Sequence, residues 1–306
     1  MRALITGASG FAGRHLLAHL SAQGDEVIAS DRRDGGPDLL DGPAWQTLLA
    51  TVRPDAVYHL AAQASVAASW QDPVGTLRAN AEGTLNVLLA CRDAEVGRVL
   101  MVSSSDVYGA AAAGVGGSSL VESTPLQPVT PYAASKAAAE QLALQAWLGW
   151  GVQVVRVRPF NHLGPGQDER FVAGALAARI VTAERGNGEV VVGNLEAVRD
   201  FTDVRDVVRA YRAALHQGVP GEVYQICSRR GVAIAELANI LVSLALHPVR
   251  LVADPGLLRP VDVPVLVGNA ARLRACTGWA PTIELADTLA ELMADFRARI
   301  APTGAE

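Results

Sequence analysis

The chain has 306 residues, of which half are apolar and 19% are charged, and its formal net charge is -5. Glycine, proline or arginine interrupts each apolar run well before the ~20 residues of a bilayer-spanning helix. The acidic balance also leaves no basic surplus for a nucleic-acid duplex. We therefore expect neither a membrane nor a nucleic acid as a partner.

The three cysteines, Cys91, Cys227 and Cys276, are widely spaced and follow neither a disulfide framework nor a metal-ligand pattern. The chain opens on strand-like residues rather than on the apolar core of a secretory leader. We therefore predict a cytoplasmic protein without a metal site.

Strand and helix patterns alternate through the first half of the chain. Strands are predicted at residues 3–6, 26–30, 56–60, 98–103 and 152–157, and helices at 11–22, 44–51, 73–90 and 131–150. Such alternation is typical of an α/β protein with a Rossmann-type, doubly wound parallel sheet.

The rhythm changes after Pro159. The next predicted elements are a helix at 171–183, a strand at 189–192, a helix at 203–216, a strand at 222–227, and helices at 234–246 and 283–300. We expect residues 203–227 to return to the main sheet, so that two domains interleave. The predicted division joins 1–160 with about 200–228 in a dinucleotide-binding domain, and about 161–199 with 229–306 in a smaller α/β substrate domain.

A glycine-rich segment, TGASGFAG, connects the first strand to the first helix. Its Gly7, Gly10 and Gly13 permit a tight turn and a close approach of a pyrophosphate to the helix N-terminus. Three glycines are weak evidence by themselves, because a turn before a helix favours glycine in any case. Their place after the first strand makes a dinucleotide site the better interpretation.

An acid follows at the end of the second strand. Asp31 lies 18 residues after Gly13, where a carboxylate accepts hydrogen bonds from the adenosine ribose and repels a 2′-phosphate. This favours NAD(H) as the cofactor. Arg32 and Arg33 are adjacent and could bind the additional phosphate of NADP(H), so this cofactor is also possible.

Tyr132 and Lys136 are predicted to share one face of a helix. Thr130 is a suitable N-cap and Pro131 a suitable first helical residue, and residues four apart are neighbours on a helix surface. A nearby ammonium favours phenolate, which would let Tyr132 exchange a proton with a carbonyl or alcohol oxygen. An exposed surface pair is the alternative, but Lys136 is the only lysine among 26 basic residues.

Three serines, Ser103, Ser104 and Ser105, follow the strand at 98–103. Their hydroxyls should lie at the carboxyl edge of the sheet, where ligands of such folds bind. One could hydrogen-bond a reacting oxygen, whereas the others could satisfy their own turn. No GxSxG or HExxH pattern suggests acyl transfer or metal chemistry.

Several motifs together resemble the extended short-chain dehydrogenase/reductase family of nucleotide-sugar enzymes. They are TGASGFAG, HLAAQASV, an N-x-x-GT pattern at residues 80–84, SSSDVYG, PYAASK and RPFNHLGPGQ. The resemblance extends over nearly the whole chain. It implies that Ser104, Tyr132 and Lys136 are the catalytic residues.

The same resemblance implies two binding sets. The cofactor set is Gly7, Gly10, Phe11, Ala12, Gly13, Asp31, Arg32, Asp38, Leu39, Leu60, Ala61, Ala62, Gln63, Asn80, Tyr132, Lys136 and Pro159. The substrate set is Ser105, Asp106, Asn161, Asn194, Arg199, Arg259 and Asp262. Arginine suits a diphosphate because its planar fork binds phosphate through two hydrogen bonds.

Within the family, the chain is similar to GDP-4-keto-6-deoxy-D-mannose reductases and to GDP-mannose 4,6-dehydratases. The dehydratases carry a glutamate two residues after the catalytic Ser/Thr, where this chain has Asp106, and their first turn usually reads GxTGQDG. Both differences favour a reductase that forms GDP-D-rhamnose. A dehydratase, a 4-epimerase and a non-catalytic NAD-binding scaffold are the alternatives. The resemblance also implies a homodimer through the helices near 73–90 and 131–150.

Overall fold

The computed structural model describes residues 1–115, 119–257 and 263–300. Within these ranges no helix combines the length and the apolar content that crossing a membrane requires.

Twelve strands lie within the described ranges. In chain order they are β1 (Arg2–Thr6), β2 (Glu26–Ser30), β3 (Ala56–His59), β4 (Arg98–Val102), β5 (Val154–Pro159), β6 (Asn161–Leu163), β7 (Glu189–Val192), β8 (Val198–Asp203), β9 (Val223–Ile226), β10 (Gly231–Ala233), β11 (Arg250–Ala253) and β12 (Val265–Leu266).

Eleven α-helices lie in the same ranges, together with short 3₁₀ and π segments. The helices are α1 (Phe11–Ala22), α2 (Gly42–Val52), α3 (Val66–Gln71), α4 (Pro73–Leu77), α5 (Gly83–Asp93), α6 (Pro131–Trp150), α7 (Val172–Ala183), α8 (Val204–Gln217), α9 (Ile234–Ser243), α10 (Ala271–Thr277) and α11 (Leu285–Ile300). A π-helical turn, Arg78–Glu82, joins α4 to α5, and a 3₁₀ segment, Ser105–Val115, follows β4.

The central sheet has six parallel strands in the order β2-β1-β3-β4-β5-β9. Every residue of β3, β5 and β9 is buried, as expected for a parallel sheet with helices on both faces. The strand order reverses between β1 and β3, which is the point where such sheets bind ligands at their carboxyl edge. The predicted Rossmann-type, doubly wound fold is confirmed.

The remaining strands form two small sheets. In one sheet, β8 pairs with β10 in an antiparallel manner and with β6 and β12 in a parallel manner. In the other sheet, β7 pairs with β11. A separate apolar cluster packs α7, α9 and α11 against these strands. α8 packs in the core beside α1, and β9 pairs with β5 at the edge of the large sheet. The division of the chain into two domains stays a prediction.

Local sequence explains where the two most important helices begin and end. The Thr130 hydroxyl accepts the Ala133 amide at 3.0 Å, Pro131 opens α6, and Gly151 ends it at φ 74°. α1 begins after Gly10 without a side-chain cap. Its first amides therefore face the carboxyl edge of the sheet without an intrahelical partner.

Candidate active site

The glycine loop between β1 and α1 is packed too tightly for side chains. A Cβ on Gly13 would lie 2.1 Å from the Gly7 carbonyl oxygen, and one on Gly7 would lie 2.9 Å from the Ala61 backbone. Gly7 also has φ 72°, which disfavours other residues. The loop thus brings bare backbone to the start of α1, as pyrophosphate binding requires.

Two further features of this loop suit an anionic ligand. The amides of Phe11 and Ala12 belong to the uncapped first turn of α1. The Ser9 hydroxyl oxygen is buried and bonds to no group within the described ranges. These residues therefore fit the diphosphate of a dinucleotide.

The carboxyl end of β2 carries the predicted adenosine residues. An Asp31 side-chain oxygen accepts the Arg33 amide at 3.0 Å. The Arg32 guanidinium is 3.1 Å from the Asp38 carboxylate, and both side chains are exposed, by 78% and 44%. The amide of Leu40 and the nearby Arg32 lower the pKa of Asp38. This edge presents opposite charges to solvent.

Leu39, beside this edge, is held by α5. A Cβ on Gly83 would lie 2.7 Å from the Leu39 Cβ, and Nδ2 of the Asn86 side chain donates to the Leu39 carbonyl oxygen at 2.9 Å. The contact fixes the segment that follows Asp31, the residue predicted to bind the adenosine ribose.

Asn80, in the π-helical turn, holds the loop that follows β3. Its Oδ1 accepts the Gln63 amide at 2.7 Å, and its Nδ2 donates to the Gln63 carbonyl oxygen at 3.0 Å. The same Nδ2 donates to the Ser135 hydroxyl of α6 at 2.8 Å. Asn80 thus places the 60–63 segment, with Leu60, Ala61 and Ala62, beside the helix that carries Tyr132.

His59 closes the other side of this loop. Its Nδ1 lies 2.8 Å from the Thr6 hydroxyl, and its Nε2 lies 3.0 Å from the Thr84 hydroxyl. Burial and the Lys136 charge lower the pKa of His59 to about 3, so the ring is neutral. It links the carboxyl ends of β1 and β3 to α5.

Ser104, Tyr132 and Lys136 meet at the carboxyl end of β4. The Ser104 hydroxyl hydrogen-bonds Tyr132, and it also accepts the Asp106 amide at 3.2 Å. The buried Lys136 ammonium donates to the Val102 carbonyl oxygen at 2.5 Å. The structure therefore brings all three predicted catalytic residues to one point.

Burial shifts the proton affinities of this group. Lys136 was expected to lower the pKa of Tyr132, but burial raises that pKa well above its usual value, with a smaller contribution from the Asp106 carboxylate, while the Ser104 hydrogen bond opposes both. Burial lowers the pKa of Lys136 to about 8, and the Glu140 carboxylate opposes that change. Tyr132 is therefore a protonated phenol at neutral pH, able to donate a proton to an oxygen bound beside it.

The predicted substrate residues come from several separate segments of the chain. Ser105 is buried at the turn after β4, and Asn161 starts β6. Pro159, which was predicted to bind the cofactor, ends β5 close by in the chain. An Arg199 guanidinium nitrogen donates to the carbonyl oxygen of Val263 at 2.7 Å. Asn194 is exposed, and its Oδ1 accepts the Glu196 amide at 3.0 Å. Arg259 and Asp262 lie outside the described residues.

Sequence reasoning gave no role to three polar residues of the site, namely Ser135, Thr84 and His59. Ser135 lies inside the PYAASK motif and donates to the Tyr132 carbonyl oxygen at 2.7 Å. The two others belong to motifs, HLAAQASV and N-x-x-GT, whose spacing was noted without assigning them contacts. A polar residue at the end of a buried strand is the signal that could have identified His59.

The glycine loop also touches the segment after β6. The rings of Phe11 and His162 stack at 5.9 Å, and His15 hydrogen-bonds the Pro165 carbonyl oxygen at 2.9 Å. The glycine loop and the start of α1 are therefore in direct contact with the segment that begins with Asn161.

A family model described as "NAD dependent epimerase/dehydratase family" matches residues 3–227. The chain belongs to this family. It is 38% identical, over 98% of both chains, to a GDP-6-deoxy-D-mannose reductase of Pseudomonas aeruginosa.

Solved structures of other proteins agree with this epimerase/dehydratase assignment. The structure of RMD from Pseudomonas aeruginosa complexed with NADPH superposes with a TM-score of 0.88 at 36% identity, over 98% of this chain and 100% of that one. A Thermus thermophilus UDP-glucose 4-epimerase in complex with NAD superposes with a TM-score of 0.86 at 29% identity, over the same shares.

Proposed function

We propose that this protein reduces the C4 keto group of GDP-4-keto-6-deoxy-D-mannose to give GDP-D-rhamnose, with NADH or NADPH as the reductant. The hydrogen bond between the Tyr132 and Ser104 hydroxyls, one helical turn from Lys136, is the observation that carries the proposal. Its support is the similarity to a GDP-6-deoxy-D-mannose reductase over nearly the full length of both chains.

The chemistry divides between cofactor and protein. A bound reduced nicotinamide supplies the hydride that adds to C4. The Tyr132 phenol gives its proton to the C4 oxygen, and Ser104 donates a hydrogen bond to the same oxygen. The Lys136 ammonium then stabilises the tyrosinate until solvent returns a proton.

The remaining predicted residues bind rather than react. We assign Asn161 to the sugar or the diphosphate, Arg199 and Arg259 to the diphosphate, and Asn194 and Asp262 to the nucleotide. Arg259 and Asp262 lie outside the described ranges. The glycine loop, Asp31 and the 60–63 segment hold the dinucleotide. Arg32 would bind the 2′-phosphate of NADPH only by leaving Asp38, which is an easy exchange for an exposed pair.

A second copy of the chain is the partner that we propose. Exposed apolar side chains lie on α3, on α4 and near the end of α6, namely Trp70, Val74, Leu77 and Leu148. A dimer through these helices would bury them. Light scattering of the dilute protein should give twice the mass of one chain, and a monomer would refute the dimer.

The test of the activity is the fall in reduced-nicotinamide absorbance when the protein meets GDP-4-keto-6-deoxy-D-mannose. We expect stoichiometric oxidation of NADH or NADPH, and the two rates rank the cofactors. GDP-mannose without the keto sugar should give no oxidation. Conversion of GDP-mannose to a keto sugar, with the cofactor unchanged overall, would instead identify a dehydratase.

A further inference from the structure

A buried cluster of charges lies one helical turn beyond Lys136. Glu140, on the same face of α6, is completely inaccessible to solvent. Arg158 of β5 binds its carboxylate through two nitrogens, with Nη2 at 2.5 Å and Nε at 2.9 Å. Arg156 adds a longer contact at 3.5 Å.

The other arm of Arg158 reaches the turn that carries the catalytic serine. Its Nη1 donates to the Tyr108 hydroxyl at 2.8 Å and to the Glu122 carbonyl oxygen at 2.9 Å. Tyr108 lies four residues after Ser104, and its ring lies 5.0 Å from the guanidinium carbon. Arg158 therefore joins α6, β5 and the 3₁₀ segment in one network.

Such a cluster is a poor way to stabilise a protein. Taking a carboxylate and two guanidinium groups out of water costs free energy that apolar side chains of similar volume would not cost. Its position, between the turn of Ser104 and the helix of Lys136, points instead to the reaction.

We propose that Glu140 is a positioning residue that keeps Lys136 charged, and that Arg158 fixes both Glu140 and the turn that holds Ser104. The inference rests on the proposed function, because it assigns the charge on Lys136 to the reaction described there.

The surroundings of Lys136 support this role for Glu140. Two titratable groups act on Lys136 directly, namely Glu140 on α6 and His59 on β3. Tyr132 precedes Lys136 by one helical turn, and Asp106 lies near Tyr132. Arg156 and Arg158 on β5 bind Glu140. Burial favours the neutral amine, and His59 is itself neutral. Glu140 is the carboxylate that opposes the loss of the proton.

The test uses the single lysine of the chain. A protein grown with lysine labelled with ¹³C at Cε gives one side-chain signal, whose chemical shift against pH reports the protonation of Lys136 directly. The variant is the double substitution Glu140→Gln with Arg158→Gln, which removes one charge of each sign. The matched control, Glu184→Gln with Arg297→Gln, removes another pair with a nearly buried glutamate, 2.7 Å apart, far along the chain from this site.

The native chain should hold about half of Lys136 protonated at pH 8, because the pKa of the lysine lies near that value. In the Glu140/Arg158 variant we expect the protonated fraction at pH 8 to fall to about a quarter or less. The control variant should match the native titration. An unchanged or raised midpoint in a Glu140/Arg158 variant that still melts cooperatively would overturn the proposal.

A second measurement tests the proposal if the Glu140/Arg158 double variant does not fold. The single substitution Tyr108→Phe keeps the ring under Arg158 and removes only the hydroxyl that the guanidinium binds. We expect it to lower kcat several-fold with KM for the sugar unchanged, and an unchanged kcat would contradict the role of Arg158. If the native protein reduces no nucleotide sugar, the lysine titration still tests the inference, so the two failures are distinguishable.

Discussion

The two carboxyl-edge sites of the central sheet are built by different physical means. At β1 and β2, glycines leave the backbone of the loop free of side chains. Beside them, Arg32 and Asp38 form a solvent-exposed ion pair. At β4 and α6 the site is made of buried polar groups whose pKa values move away from their usual values. The proposed cofactor site at β1 and β2 should therefore be sensitive to added side-chain volume, and the proposed catalytic site at β4 and α6 to the loss of hydroxyl groups and charges.

The largest effect is expected from Tyr132→Phe. It removes the proton donor and keeps the ring, so kcat should fall by roughly 10²- to 10⁴-fold. The measurement is the steady-state rate of nicotinamide oxidation at pH 7. Tyr58→Phe is the control, because the buried Tyr58 hydroxyl has no partner within the described ranges, and its rate should stay within twofold. A Tyr132→Phe rate within tenfold of native would contradict the assignment.

Gly13→Ala should be the next most damaging change. The new methyl group would meet the Gly7 carbonyl oxygen at 2.1 Å, which forces the loop apart at a cost of about 1–3 kcal/mol. We expect NADPH to raise the melting temperature of the native protein and not that of the variant. Gly186→Ala, whose methyl has ordinary room at 3.6 Å from the Thr182 carbonyl oxygen, should keep the full shift. A shift of native size in Gly13→Ala would refute the steric argument.

Asp106→Asn should alter the pH profile more than the rate. Because the Asp106 charge raises the pKa of Tyr132, removing it lowers that pKa. Tyr132 must be protonated to donate, so the basic limb of kcat should move to lower pH. Asp168→Asn, at an exposed pair, serves as the control and should leave the limb in place. A limb that moves to higher pH would show that Asp106 acts in another way.

Arg32→Ala should have the smallest effect, confined to the choice of cofactor. Losing one charge-assisted contact to a 2′-phosphate should lower kcat/KM for NADPH by about tenfold, with NADH nearly unaffected. The melting temperature should not change, since the pair with Asp38 is exposed. Arg272→Ala removes a comparable exposed pair as the control. Equal losses with both cofactors would place Arg32 away from the phosphate.

Much of the first half of the fold could be predicted because its signals are local. The helix over 11–22, the strand over 26–30 and the helix over 131–150 have the predicted bounds, since a glycine turn or an N-cap and proline mark their starts. The predicted single helix over 73–90 is instead interrupted by the π turn around Asn80. That turn depends on contacts with Gln63 and Ser135, which are distant in sequence.

The second half was harder to predict. Strands β6, β8, β10 and β12 are six residues or shorter and pair with one another across long separations in the chain, so no local periodicity reveals them. The site shows the same limit. Motifs predicted Ser104, Tyr132 and Lys136 as catalytic residues, and the structure brings them together. The roles proposed for Glu140 and Arg158 depend on a contact between α6 and β5 that only the folded chain makes.

The central claim is that hydride reaches C4 of a keto sugar while Tyr132 supplies the proton. The most direct measurement supplies reduced nicotinamide cofactor with deuterium at both hydrogen positions of its C4 and determines by NMR where deuterium lies in the product. The account predicts one deuterium on C4 of the sugar. A product without deuterium at C4, or with deuterium at another carbon, would contradict it.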